Sequence, residues 1–213
     1  MTDRELAIQL ANERIIGSIH KYLLLDGEIV LESWIQDLLN GSTVPFISDR
    51  IRKYVENTAK AWEYVLEHLD ERVTPLYLNK LHDIVGDGIF YNHGEFRKTS
   101  KAATGAIFRL PCTVDITTGV FDLFDLVTDY KLLAFMQFTY IYYAMPYDAG
   151  NVVIGSLVAS KTLINHGVGM FYPIEERTVD KLREKLKEYL ETHNPTGVYT
   201  FFKEDCVLYK IKL

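Results

Sequence analysis

Apolar residues recur at helical spacing along most of this chain. Residues 3–25 carry an apolar stripe with polar residues between its members, a pattern typical of an amphipathic helix with one buried face. The following Asp26-Gly27 predicts the end of that helix. The stripe consists of Leu6, Leu10, Ile15, Ile19 and Leu23.

The same periodicity, together with recognisable end signals, predicts three more helices in the first half. Ser48 is a favourable N-cap, and Thr74 followed by Pro75 combines an N-cap with a first-turn proline. Asn40-Gly41 and Gly86 suit the left-handed conformation at helix C-termini. These helices are predicted over residues 31–39, 48–70 and 74–86.

The pattern changes over residues 86–120, where glycine is frequent and short β-favouring runs replace helical spacing. A β-hairpin among loops is predicted there. Further along, residues 129–144 are apolar or aromatic on nearly every face, as expected of a central helix. Pro146 ends that helix. Later helices are predicted over residues 151–165, 178–192 and 195–208, so the fold class is mainly α.

Composition narrows the function classes. The chain has 213 residues, of which 48% are hydrophobic and 24% charged, as in an ordinary globular domain. A net charge of −6 gives no general attraction for nucleic acid. The most apolar stretch, residues 132–145, is shorter than the ~20 residues that span a bilayer. We therefore expect one domain over residues 1–213, no nucleic-acid or membrane partner and, because no signal segment is visible, a cytoplasmic location.

A proline, a Gly-Asn pair and the start of a helix follow one another closely at residues 146–151. The unpaired N–H groups at a helix N-terminus attract anions, and Gly150 would let a phosphate approach the backbone beside Asn151. A plain turn between two core helices is the alternative reading of these residues.

The stretch Met145-Pro146-Tyr147-Asp148-Ala149-Gly150-Asn151 resembles the signature of the Fic family, His-Pro-Phe-x-x-Gly-Asn-Gly-Arg with a later arginine. Upstream residues 62–66, 76–82 and 94–97 are similar to the segments that precede the family's active site. The resemblance implies a Fic-like helical bundle with a small β-hairpin flap. It places an N-terminal helical region at 1–47, a core at 48–213, the flap at about 97–113 with Gly105, Ile107 and Phe108 facing a target, and the motif loop at 145–156.

In that family the motif histidine is the general base that lets a protein hydroxyl attack the α-phosphate of ATP. Here Met145 takes its place, and the metal-binding acid falls on Ala149, beside Asp148. The arginine positions hold Val153 and Ser156. Base, metal ligand and cationic clamp are therefore all predicted to be lost, which leaves Gly150 and Asn151 as the nucleotide- or anion-binding remnant.

Some Fic proteins carry an inhibitory helix that ends in Glu-Gly or Glu-Asn. Asp26 and Gly27 are either a remnant of that ending or a simple helix stop. The six histidines show no metal or catalytic spacing, so surface or core-edge positions are expected for most of them. The tyrosines at 140, 142, 143 and 147 are expected in the core or along a peptide groove.

Three hypotheses follow. The first is a disabled Fic-like protein, of bacterial or phage type by its likeness, that binds a protein or peptide and, if the cleft is open, ATP with Mg²⁺. In it an extended peptide adds to the flap at Ile107 and Phe108. The second is an active enzyme that transfers AMP or another phosphate-containing group, with Asp148 as base. The third is an unrelated helical interaction protein. A homo-oligomer is compatible with each.

Overall fold

The computed structural model describes residues 1–98 and 120–209, which are mostly helical. Before residue 98 lie α1 (Asp3–Leu25), α2 (Glu32–Leu39), α3 (Asp49–Glu67) and α4 (Pro75–Gly86). From residue 120 onward lie α5 (Val120–Phe124), α6 (Tyr130–Ala144), α7 (Asn151–Asn165), β1 (Gly169–Phe171), α8 (Glu176–Thr192), α9 (Thr196–Asp205) and β2 (Val207–Tyr209). None of the helices in these ranges has the length and hydropathy needed to cross a bilayer.

The predicted helix starts are confirmed by their capping bonds. The Ser48 hydroxyl accepts a hydrogen bond from the Ile51 N–H, and the Thr74 hydroxyl accepts one from the Tyr77 N–H. Each satisfies one of the backbone donors that a helix N-terminus leaves without an internal partner. Local chemistry therefore determined where α3 and α4 begin.

Helix α7 lies at the centre of the fold. Every residue from 153 to 164 is buried, and the helix packs against α1, α3, α4, α6 and β1. A buried hydroxyl network joins three of these elements. The Tyr22 hydroxyl of α1 is 2.7 Å from Ser160 Oγ of α7 and donates to the carbonyl of Phe171 in β1. Central packing of this kind fixes both ends of α7, including the end that carries the motif.

The last predicted helix is wrong at its C-terminal end. Helix α9 stops at Asp205, and residues 207–209 form β2, which pairs antiparallel with β1 in the register Gly169–Tyr209 and Phe171–Val207. Residues 169–171 follow the predicted end of α7, but their strand was not predicted, and neither was the short helix α5. The predicted flap, with Gly105, Ile107 and Phe108, lies outside the described residues, and the sheet seen here is made of other segments.

Candidate functional site: the turn between two core helices

The motif residues form the turn between α6 and α7. Helix α6 ends at Ala144, and Met145, its C-cap, adopts a left-handed conformation with φ 42°. The turn closes at Gly150, the N-cap of α7, which also has a left-handed φ of 74°. The predicted helix, turn and helix are therefore confirmed in this order, and residues 145–156 do not form an uninterrupted helix.

Asn151 holds the turn closed with its side-chain amide. Its Oδ1 accepts from the Tyr147 N–H at 2.9 Å, and its Nδ2 donates to the Tyr147 carbonyl at 2.9 Å. The oxygen and the nitrogen of this amide are therefore both hydrogen-bonded to the backbone of Tyr147, four residues earlier. Asn151, expected at an anion site, serves the turn itself.

His82 of α4 lies directly against this turn. Its ring stacks on that of Tyr147 with a centroid separation of 3.8 Å and an interplanar angle of 7°. Its Nδ1 is 3.0 Å from the Gly94 N–H and its Nε2 is 3.1 Å from the Ala149 carbonyl. Because the amide can only donate and the carbonyl can only accept, Nδ1 is the unprotonated nitrogen and Nε2 carries the hydrogen.

That arrangement keeps His82 neutral. Burial lowers the pKa of its imidazole to about 4, although the hydrogen bond to the Ala149 carbonyl acts in the opposite direction. The side chain is 1% exposed. Both ring nitrogens already have backbone partners, so His82 is a positioning residue for the turn rather than an available base.

Arg97 closes the other end of the turn. Its Nε donates to the Met145 carbonyl at 2.7 Å, its Nη2 donates to the Ala144 carbonyl at 3.0 Å, and its backbone N–H donates to the Pro146 carbonyl at 2.8 Å. The side chain is buried. A guanidinium at the C-terminus of α6 satisfies carbonyls that the helix leaves unpaired and offsets the negative end of its dipole.

Two features favour glycine at position 150: its left-handed conformation and the close approach of the Phe90 ring. A Cβ at this position would lie 2.7 Å from Cε2 of Phe90. The Phe90 ring also stacks on His82 at a centroid distance of 5.7 Å. Aromatic rings therefore cover the side of the turn that faces α4. Phe96 adds to this layer, with its ring centroid 5.3 Å from that of Tyr147.

The residues at the positions where the resemblance predicts the reactive side chains lie in different surroundings. Asp148 is exposed, and its carboxylate accepts from Asn92 Nδ2 at 3.4 Å. Val153 and Ser156 are fully buried inside the bundle, and the Ser156 hydroxyl donates to the Val152 carbonyl at 2.8 Å. Met145 contributes a partly buried thioether at the turn.

The N-terminus of α7 leaves backbone N–H groups outside the helix ladder. The first internal bond of α7 runs from the Ile154 N–H to the Gly150 carbonyl at 3.1 Å. The N–H groups of residues 151–153 precede it and are not used by the helix ladder. They carry the positive end of the α7 dipole. The exposed carboxylate of Asp148 precedes this helix start and opposes that attraction.

Asp26 and Gly27 lie at the C-terminal end of α1, as predicted for a helix stop, with Gly27 at φ 97°. The Asp26 carboxylate accepts from the Tyr54 hydroxyl at 2.7 Å, and the Tyr54 ring meets Phe90 edge-on at 5.5 Å. The end of α1 is thus linked to Gly150 through two aromatic side chains. Burial raises the pKa of Asp26 to about 6, and the Tyr54 hydrogen bond opposes that rise.

The tyrosines that follow one another in sequence separate in space. Tyr147 is fully buried, and its hydroxyl donates to Asn79 Oδ1 at 3.0 Å. Tyr140 and Tyr143 instead line an aromatic groove of about 510 Å³. The groove is formed by Val120, Phe124, Leu132, Phe135, Met136, Thr139, Tyr140, Tyr143, Tyr189, Pro195, Thr196, Tyr199 and Thr200.

Sequence reasoning missed the role of His82. A surface or core-edge position was expected for most histidines, whereas His82 is buried beneath the motif. One signal was available, because His82 shares the apolar face of α4 with Leu78, Leu81 and Val85. Its partner Tyr147 lies 65 positions further along the chain, and no local pattern connects them.

Comparison with known proteins identifies the fold. No family profile and no curated protein matches the sequence. Among solved structures, a Fic-domain signaling protein from Bacteroides thetaiotaomicron superposes with a TM-score of 0.76 at 16% identity, covering 93% of this chain and 84% of that one. Fic-1 of C. elegans, residues 134–508, gives a TM-score of 0.72 at 15% identity, covering 92% and 62%.

A Fic family protein from Desulfovibrio desulfuricans gives a TM-score of 0.73 at 14% identity, covering 91% of this chain and 61% of that one. The chain thus spans about three fifths of the length of this protein and of the C. elegans protein. At these identities the likeness concerns the backbone. On the basis of this backbone similarity, the protein has the Fic fold. The turn of residues 145–150 lies between two core helices of that fold.

Proposed function

We propose that this chain is a Fic-fold protein that acts by binding a protein or peptide and transfers no nucleotide. The observation that carries the proposal is the set of side chains on the closed turn: a methionine at the base position, and buried Val153 and Ser156 at the arginine positions. The turn keeps its shape through Asn151, His82 and Arg97, so the change lies in the chemistry and not in the backbone.

The missing groups correspond to separate parts of the reaction. A thioether cannot take a proton from an attacking hydroxyl, and loss of a positioned general base typically lowers a rate about a hundredfold to ten-thousandfold. Positions 153 and 156 face the core of the bundle, so a cation there could not reach the charge that develops on a transferring phosphate. His82 cannot replace the base, because both of its nitrogens are bonded to backbone.

The residues fit ATP with Mg²⁺ poorly. With valine and serine at positions 153 and 156, only the amides of residues 151–153 are left to hold the phosphates, and the Asp148 carboxylate, although it could bind Mg²⁺, repels a phosphate that carries no metal. The alternative proposal, an enzyme with altered chemistry, relies on these amides together with Asp148 as base. It predicts turnover that the Asp148→Asn variant loses.

For the partner we favour the aromatic groove. Concave apolar surfaces lined by tyrosine rings bind aromatic or aliphatic anchor side chains. The volume of about 510 Å³ lies in the range of ligand sites. Strand addition at Ile107 and Phe108 stays a separate prediction, because those residues lie outside the described ranges.

The absence of transfer is tested by incubating the purified chain with ATP, Mg²⁺ and a lysate and measuring intact protein masses. An active Fic enzyme in a parallel sample shows that an AMP adduct would be detected. We expect no adduct that grows with the dose of this chain. A catalytic, dose-dependent adduct would sink the proposal in favour of the enzyme.

The binding site is tested by selecting peptides from a display library against the full chain and titrating the enriched sequences by fluorescence polarisation. Peptides with apolar anchors should bind the Tyr143→Ala variant at least about tenfold more weakly, as expected for an anchor contact worth about 1.4 kcal/mol or more. Leu76→Ala, at an exposed leucine on α4, is the matched control. Equal affinity for the two variants would place the partner elsewhere.

A further inference from the structure

A fully exposed phenylalanine lies in the loop between α2 and α3. The exposure of Phe46 is 104% of the reference value, and its backbone is left-handed with φ 65°. Pro45 and Phe46 form the centre of a turn, and a positive φ at the second central position normally calls for glycine or asparagine. For a phenylalanine, both this conformation and a ring left in water are unfavourable in the isolated chain.

Helix capping does not account for the conformation of Phe46. In the described ranges, Met145 and His193 are the other non-glycine residues with positive φ. Each is the C-cap of a helix, where a left-handed residue is common. Phe46 instead lies inside the loop between Asn40, the C-cap of α2, and Ser48, the N-cap of α3. Its turn holds the aromatic ring out from the surface.

A cavity of about 360 Å³ lies directly beside this turn. Val44 and Ile47, which flank the turn, contribute an apolar wall together with Leu38 of α2. The volume exceeds the roughly 150 Å³ of a cavity that holds a benzene ring. The lining residues are Leu38, Gly41, Ser42, Thr43, Val44, Ile47, Asp49, Arg52 and Glu56.

The α3 side of the cavity has charges of both signs. Arg52 lies there with Asp49 and Glu56, and its guanidinium is ion-paired with Asp49. A guanidinium also stacks on the face of an aromatic ring. An aromatic side chain that enters the cavity therefore meets apolar side chains from the loop and a planar cation from α3.

We propose that two copies of this chain form a twofold dimer in which Phe46 of each copy fills the cavity of the other. The projecting ring and the cavity are neighbours on one surface. A partner that both receives the ring and fills the cavity must itself carry a projecting ring beside a cavity, and a second copy does. A twofold axis makes the contact twice, and the charges of both signs avoid a repulsion between like surfaces.

The size of the contact predicts a weak dimer. Each aromatic side chain buries about 150–250 Å², so the two rings supply only part of the roughly 1,200–2,000 Å² of a stable interface. Association should therefore be reversible and depend on protein concentration. The aromatic groove of α6 does not contribute to this contact, so peptide binding and dimer formation can be measured separately.

The test is sedimentation velocity of the intact chain at concentrations from micromolar to millimolar. We expect a monomer–dimer equilibrium that Phe46→Gly weakens at least about a hundredfold, or tenfold for each of the two rings removed. Tyr91→Ala is the matched control, because Tyr91 is a 99% exposed ring in another loop, and it should leave the equilibrium unchanged. Equal dissociation constants for Phe46→Gly and the wild type overturn the proposal. So does a wild-type chain that stays monomeric throughout, in which case Phe46 serves a different partner.

Two further measurements exclude misfolding and locate the ring in the cavity. Glycine adopts the left-handed conformation without strain, so the thermal midpoint of Phe46→Gly at low concentration should not fall below that of the wild type. Thr43→Trp fills the cavity but keeps Phe46, and alone it should dimerise as poorly as Phe46→Gly. Mixing the two variants restores one ring and one open cavity, so the mixed dimer should be at least about tenfold tighter than either variant by itself. A mixture that associates no better than its components rejects the exchange of Phe46 between copies.

Discussion

Burial shifts the pKa values of two individual residues in opposite directions: His82, against the motif turn, and Asp26, at the end of α1. Burial disfavours the charged form of both His82 and Asp26, but one group is a base and the other an acid. The pKa of His82 is lowered to about 4 and that of Asp26 is raised to about 6. The two groups should therefore change the stability in opposite directions over the same range of pH.

The sign for each group follows from proton linkage. Below pH 6.5 the unfolded chain binds a proton at His82 that the folded chain refuses, so stability falls as the pH drops from 6.5 towards 4. At Asp26 the folded chain holds the proton more tightly, so stability falls as the pH rises from about 4 to about 6. For His82 the full effect is about 3 kcal/mol, from the pKa difference of about 2.5 units.

We therefore predict that His82→Phe and Asp26→Asn change the pH profile of the unfolding free energy in opposite ways. His82→Phe should be less stable at pH 7, having lost two hydrogen bonds, but should lose less stability than the parent on acidification to pH 4.5. Asp26→Asn should lose more than the parent over that interval. Urea denaturation at several pH values measures both, and parallel profiles for all three proteins would contradict the assignment.

Among the elements, α7 shows how burial limits which side chains a helix position can carry. Neighbouring positions on this helix differ sharply in solvent exposure: Val152 is partly exposed, whereas Val153 is fully buried. An arginine at 153 would have to leave its charge in the core or force the helix away from its neighbours. The present packing is therefore incompatible with an arginine at position 153.

Val153→Arg should destabilise the protein by about 3–5 kcal/mol, the usual consequence of an unpaired buried charge. Val152→Arg, one position earlier and partly exposed, should change the unfolding free energy by less than about 1 kcal/mol. Denaturant midpoints at constant m value provide the comparison. Wild-type stability for Val153→Arg would mean that this side chain can reach solvent and that the cleft can reopen.

The positions of the helix ends were predictable for reasons visible in particular residues. Ser48 and Thr74 cap α3 and α4, Asp129 caps α6, and Gly150 precedes α7, each acting through atoms within a few residues. The end of α9 was not predictable in this way. Residues 207–209 leave helical structure because β1, some 40 residues earlier, offers an edge to pair with.

For the whole molecule, that pairing ties the C-terminal segment to the central helix. Gly169 begins β1 and lies so close to β2 that an added Cβ would be 2.1 Å from the Leu208 carbonyl oxygen. Val207 and Cys206 are buried beside this contact, and burial raises the pKa of the Cys206 thiol. The small sheet therefore packs closely and connects α7 to the last described residues.

Gly169→Ala should lower the unfolding free energy by about 2 kcal/mol or more, because the clash involves backbone and cannot be relieved by a rotamer change. Gly197→Ala is the matched control. It lies in α9 with open space around its Cβ position, and alanine should stabilise that helix by up to about 1 kcal/mol. Thermal unfolding of both variants distinguishes them, and equal midpoints would show that the β1–β2 contact yields without strain.

The sequence alone determined the helical elements, the mainly α class and the turn of residues 145–151, because periodicity, caps, proline and glycine act over a few residues. It also determined that positions 145, 153 and 156 hold methionine, valine and serine, because residue types are read directly. The role of His82 beneath Tyr147, the capping of α6 by Arg97 and the hydrogen bond from the buried Lys161 to the Leu69 carbonyl were decided by tertiary structure. These contacts join residues 47 to 92 positions apart, and only the packing of whole helices around α7 brings them together.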